Sequence, residues 1–186
     1  MSDPYKSILD HADRHFAEVV REQPTSLLCG RGCTLCCHGL FEITSADVAI
    51  LGDALDQLAP SVRAGIEQRA ASIMTSTSHP NLRDLDDQEK AEFLGTTEEV
   101  ACPNLDEKGL CLVYESRPLI CRTFGLPIRT GIRYTGEECE LNFTAATQDE
   151  KERAAWDLLW EDEIGPEDQF TIPEAIVLLG RVRSSR

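Results

Sequence analysis

Four thiols fall within nine residues, in Cys29-Gly-Arg-Gly-Cys33-Thr-Leu-Cys36-Cys37, and this crowding constrains the chain more than any other feature. A packed core gives no reason to gather cysteines around glycines. Soft divalent ions and iron–sulfur clusters do, because thiolates bind them strongly and a glycine-rich loop can turn several sulfurs toward one point. Four further cysteines follow at Cys102, Cys111, Cys121 and Cys139. The vicinal pair Cys36-Cys37 argues against a disulfide framework, since neighbours do not easily reach unstrained disulfide geometry with each other. An even set of thiols in a chain kept reduced points to metal or redox chemistry.

The rest of the composition bounds the partners. A formal net charge of -15, from 33 acidic and 18 basic residues, repels phosphate backbones, so neither nucleic acid nor an anionic membrane is an expected partner. No run approaches the ~18 apolar residues of a membrane span, and the start, Met-Ser-Asp-Pro-Tyr-Lys, has no secretory pattern. The expectation is a cytoplasmic chain. Its 186 residues suit a single domain, 1–186, with a cysteine core over 29–143 and a helical insert over 44–95.

Periodicity predicts mostly helix. Tyr5, Ile8, Leu9, Ala12, Phe16, Val19 and Val20 make one apolar stripe that Pro24 ends. Thr44 or Ser45 caps a second helix, Pro60 opens a third, and a polar helix runs to Gly95. Short β-like runs over 100–105 and 110–114 flank the turn Asp106-Glu107-Lys108-Gly109, and a second hairpin over about 126–143 turns at Thr130-Gly131. Ser116-Arg117-Pro118 reads as a helix start, 148–161 as one acidic helix, and 172–180 as the last. The fold class is α+β, with a small irregular β region at about 100–143 docked on the cysteine-rich loop.

The spacing C-x3-C-x2-C-C, then Cys102-Pro103 before Leu105, then Tyr114-Glu-Ser-Arg117-Pro118-Leu-Ile-Cys121-Arg122, resembles the CxxCxxCC, or YkgJ-like, cysteine-cluster family. That family is described as zinc- or iron-chelating, and it is similar to a cysteine-rich part of flagellin lysine methylases. The resemblance implies a thiolate metal site. All eight cysteines of the pattern are present: Cys29, Cys33, Cys36, Cys37, Cys102, Cys111, Cys121 and Cys139. Uneven spacing in the second half argues against a self-contained zinc ribbon and favours a composite site. Eight thiols suffice for two four-ligand sites, one polynuclear site, or one site with spare thiols, and an inert buried Cys139 is one alternative.

Arg31, Arg117 and Arg122 stand beside thiols and are candidates to offset thiolate charge; the competing reading pairs them with acids. His38 could complete a Cys3His site, while His11 and His15 read as the edge of the core and His79 as a loop residue. Trp156 and Trp160 read as core or a docking edge, and the run Glu161-Asp162-Glu163 as solvated surface. Cys29-x3-Cys33-x2-Cys36 has the spacing of radical S-adenosylmethionine enzymes but lacks their βα alternation.

The expected function is zinc or iron binding, including as an iron–sulfur cluster, for electron transfer, metal handling or a redox step with a protein partner. The alternatives are an iron–sulfur oxidoreductase or a component of a protein-methylation system, and a structural zinc module that mediates protein interaction. A coloured, reducible site marks a cluster; a colourless, redox-silent one marks zinc.

Overall fold

The computed structural model describes residues 4–136, 139–162 and 168–184. In chain order its elements are α1 (Pro4–Glu22), β1 (Glu42–Thr44), α2 (Ser45–Gln57), α3 (Pro60–Ser76), α4 (Asp87–Gly95), α5 (Leu119–Thr123), β2 (Ile128–Thr130), β3 (Arg133–Gly136), α6 (Gln148–Ala154), β4 (Trp156–Asp157), α7 (Leu159–Asp162), β5 (Gln169–Thr171) and α8 (Ile172–Ser184). Helix dominates and the strands are short, which is the α+β class the periodicity predicts. The chain divides into two compact units, one of Met1–Arg31 with Leu119–Pro166, the other of Gly32–Pro118 with Glu167–Arg186. Glu137, Glu138 and Glu163, which fall in the predicted second hairpin and in the acidic run, lie outside the described residues.

In the first unit α1 buries Tyr5, Ile8, Leu9, Ala12 and Val19, the greater part of its predicted stripe, and packs on α5. Val20, at the stripe's margin, is exposed. Strands β2 and β3 pair antiparallel around the tight turn at Gly131, whose φ is +57°. The one acidic helix predicted over 148–161 is instead broken. Ala155 adopts extended backbone, the Trp156 amide donates to the Pro127 carbonyl at 2.8 Å, and β4 joins β2 in parallel. Helix propensity is weak beside burial of a whole indole, and Trp156 is 1% exposed.

The second unit is built on α8 packed against α3 and α2. Leu51, Leu55, Ile66, Ala70, Ala175 and Ile176 form its core, and Leu179 lies against Gly52, where a larger residue would crowd it. Thr44 caps α2 with a reciprocal box: its hydroxyl accepts from the Asp47 amide while the Asp47 carboxylate accepts from the Thr44 amide. Strands β1 and β5 pair antiparallel, Ile43 opposite Phe170.

The predicted hairpin over 100–114 keeps its turn and loses its strands. Asp106 Oδ1 accepts from the Lys108 and Leu110 amides, both at 2.8 Å, and Gly109 takes φ +76°. Only a single bridge, Leu105 to Cys111, remains of the ladder. The cause is local: Pro103 has no amide to donate, and residues 102–105 close a turn of their own through Leu105 N to Cys102 O at 3.1 Å.

Candidate metal centre

Within the second unit, short backbone links bring the cysteine segments together. Residues Leu35–Cys37 form a single 3-10 turn after Thr34. The Cys102 amide then donates to the Cys37 carbonyl at 2.7 Å and the Gly39 amide to the Val100 carbonyl at 2.9 Å, around a bridge of His38 with Ala101. Gly39, at φ +100°, lets the chain leave this bridge in a direction open to few other residues. The Leu40 amide, buried, is satisfied by the Thr97 hydroxyl at 3.2 Å. Gly109 lies against Thr34, so the loop leading to Cys111 rests on the N-terminal cysteine loop.

Two thiols of this unit, Cys36 and Cys102, feel their neighbours. Cys36 shares a hydrogen bond with Cys37, and this bond, burial and repulsion by the Cys37 charge all push its ionisation far up, partly offset by Arg117. Burial pushes the Cys102 thiol up to about 12, with repulsion from Cys111 and Cys36 adding to it. Against that act the Asn104 backbone N–H, which donates to the Cys102 sulfur, and the charge of Arg69, whose Nε also donates to the Pro103 carbonyl at 3.0 Å. Cys36, Cys37, Cys102 and Cys111 therefore form one electrostatic group. A cation would relieve the opposition to ionisation at Cys36 and Cys102. Cys33 sits in the same unit, half-buried just before the 3-10 turn.

The first unit carries Cys29, Cys121 and Cys139. Asn142 Nδ2 donates to Cys29 Sγ at 3.0 Å. At Gly125, φ +93°, a side chain would meet Asn142 Nδ2 at 2.7 Å, Cys29 Sγ at 3.0 Å and Cys139 Cβ at 3.5 Å. Cys29 and Cys139 therefore flank the Gly125 backbone from opposite chain segments. Cys139 is buried and Cys121 stands half-buried on α5.

The candidate arginines are placed differently from one another. Arg117 stacks on Tyr114, 4.1 Å from the ring centroid, and its charge reaches Cys36. Arg122 is buried and pairs with Asp13 of α1, and Arg31 is exposed. Arg69 and Asn142 were not singled out by sequence, since a lone polar residue on a helix or loop carries no periodic signal; Asn104 was not, since it acts through its backbone N–H.

The histidines divide in the same way. His38 Nδ1 is bonded to the Thr34 carbonyl at 3.0 Å. His11 and His15 pack on Trp156, His11 also on Trp160 at 4.3 Å. His79, read as a loop residue without a task, links Pro80 O to Thr171 Oγ1 at 2.7 Å and so ties its loop to the start of α8.

All eight cysteines are free thiols. In kind, four gathered thiols with two guanidinium groups beside them suit a soft cation or a cluster. In arrangement, no three His, Cys, Asp or Glu side chains among the described residues are placed to hold an ion together. What draws the segments of the group together is backbone hydrogen bonding, Cys102 N to Cys37 O and Gly39 N to Val100 O.

Thiols gathered in this way on short glycine-turned loops define the chain as one of the thiolate metal-chelating class. Residues 28–140 match the family CxxCxxCC, described as "Putative zinc- or iron-chelating domain", and the chain belongs to that family. Neither the curated proteins nor the solved structures gave a match. No helix among the described residues is long and apolar enough to cross a membrane.

Proposed function

We propose that this protein binds zinc or iron through cysteine thiolates, with Cys36, Cys37, Cys102 and Cys111 as the central ligand set and Cys29, Cys33, Cys121 and Cys139 completing the thiolate complement of the chain. One observation carries the reading: the Cys102 amide donates to the Cys37 carbonyl at 2.7 Å, which joins the two cysteine segments so closely that the Cys102 thiol feels both Cys36 and Cys111. Such a group is costly to ionise alone and is relieved by a cation. Metal uptake and the inward turn of the sulfurs are then one event. Arg69 and Arg117 offset the charge a tetrathiolate retains after a divalent ion binds, and the Asn104 N–H orients the Cys102 sulfur. Arg31 and Arg122 act further out, as balancing charge on the segments that carry Cys29 and Cys121.

Loaded with iron and sulfide, the set would support electron transfer or a redox step with a protein partner; loaded with zinc, it would support metal handling or structure. Metal and acid-labile sulfide analysis of protein purified without oxygen, with its visible spectrum, separates these. Iron with matching sulfide and broad absorption assigns the redox role, and colourless zinc assigns the other. Cys36→Ser and Cys102→Ser are expected to lose most bound metal. A Cys36→Ser protein that retained full metal content and unchanged stability would remove Cys36 from the site.

A further inference from the structure

Asn142 is 2% exposed, and both ends of its side-chain amide are bonded. Oδ1 accepts the Leu28 N–H at 3.0 Å; Nδ2 donates to Cys29 Sγ at 3.0 Å and to the Gly125 carbonyl at 2.9 Å. The assignment of O and N within this amide is forced: a backbone N–H faces one end and a backbone carbonyl faces the other. An N–H must therefore point at the Cys29 sulfur. The backbone amide of Asn142 is also engaged, donating to the Cys139 carbonyl at 2.8 Å. This one residue joins the Leu28-Cys29 segment, the end of the α5 segment that carries Cys121, and the turn that begins at Cys139.

We infer that Asn142 is the positioning residue for Cys29: its amide fixes the sulfur beside Gly125 and donates a hydrogen bond that a metal-bound thiolate can still accept. The inference rests on the reading of Cys29 as a metal ligand. Three features support it beyond packing. A buried amide with an apolar role would not need a sulfur as its acceptor. Gly125 leaves no room for a side chain between Asn142 and Cys29, so the contact is enforced by backbone on the far side. N–H to sulfur bonds are the usual outer-shell device by which proteins orient thiolate ligands.

The test loads the full-length protein with Co²⁺ and reads the sulfur-to-cobalt charge-transfer absorption, which reports bound thiolates. Asn142→Asp keeps the acceptor for Leu28 N–H and removes the donor to sulfur; Asn142→Ala removes both and serves if the aspartate variant fails to fold. Each is expected to lose the same share of charge-transfer absorption as Cys29→Ser, and the double variant with Cys29→Ser to lose no more. Wild-type absorption in a folded Asn142 variant overturns the inference. So does wild-type absorption in Cys29→Ser, which removes Cys29 as a ligand.

A wild-type protein without charge transfer removes the metal reading instead. Melting of the metal-free Asn142→Ala, Cys29→Ser and double variants then decides the positioning role. A double variant that melts no lower than the worse single variant upholds it, and strictly additive losses overturn it.

Discussion

Gly125 shows how tightly the cysteine segments of the first unit are fitted. Its φ of +93° is one an L side chain rarely adopts, and a methyl group there would lie 2.7 Å from Asn142 Nδ2 and 3.0 Å from Cys29 Sγ. Both penalties act together in Gly125→Ala. Strain of the backbone and displacement of a buried hydrogen-bonded amide each cost on the order of 1–3 kcal/mol. We expect the substitution to lower metal-free stability by about 2 kcal/mol or more in urea unfolding, and an unchanged midpoint would place Asn142 and Cys29 apart in solution. At this scale the sequence was partly legible. The thiols and the glycines beside them were visible because their chemistry is local. Asn142 and Arg69 were not, because each acts on a sulfur or carbonyl distant along the chain, and Asn104 was not, because it acts through a backbone N–H that any residue but proline would supply.

Elements were predicted best where local signals and tertiary packing agree. Thr44 with Asp47 three residues on is a helix start in sequence, and the capping box forms as that spacing requires. Thr44→Ala removes one half of it and is expected to cost about 1 kcal/mol. The loss should fall on α2, seen as faster amide exchange in its first turn, and exchange that rose equally everywhere would show a global effect instead. Prediction failed where packing overrode propensity. Residues 148–161 have helical composition, yet burial of Trp156 and its amide bond to Pro127 turn the chain into β4. The paired β-like runs around 106–109 likewise reduced to one bridge, because the turn at Cys102-Pro103 uses backbone groups that a ladder would need. In the first place the deciding partner, Pro127, lies outside the window that a periodicity reading can see; in the second it lies inside the run, at Pro103, and β-like composition outweighed it in the reading.

For the whole molecule, the gathered thiols tie stability to pH and to metal in opposite directions. The Cys102 thiol, ordinarily near 9.0, is pushed up to about 12 in the fold, chiefly by burial, and Cys36 moves the same way through its bond to Cys37. Between those values the unfolded chain has released a proton that the folded chain still holds. Stability of the metal-free protein is therefore fully present below pH 9 and declines as pH rises toward 12, by up to about 1.4 kcal/mol per pH unit for Cys102 alone. Metal reverses the balance. Ligand thiols must lose their protons to bind, so the loaded protein has already made the release that alkali would drive, and its alkaline decline should be shallow. The same protons compete with metal near neutrality, so apparent affinity should rise steeply with pH. Urea midpoints of loaded and chelator-stripped protein across pH 7 to about 11 test this, with free metal fixed at one concentration, roughly a hundredfold the Kd at pH 7, where binding adds about 2.7 kcal/mol. A widening gap between the two forms as pH rises is the expected result. Parallel curves would mean that Cys36 and Cys102 stay outside the coordination sphere, and the central set would have to be sought among the remaining cysteines.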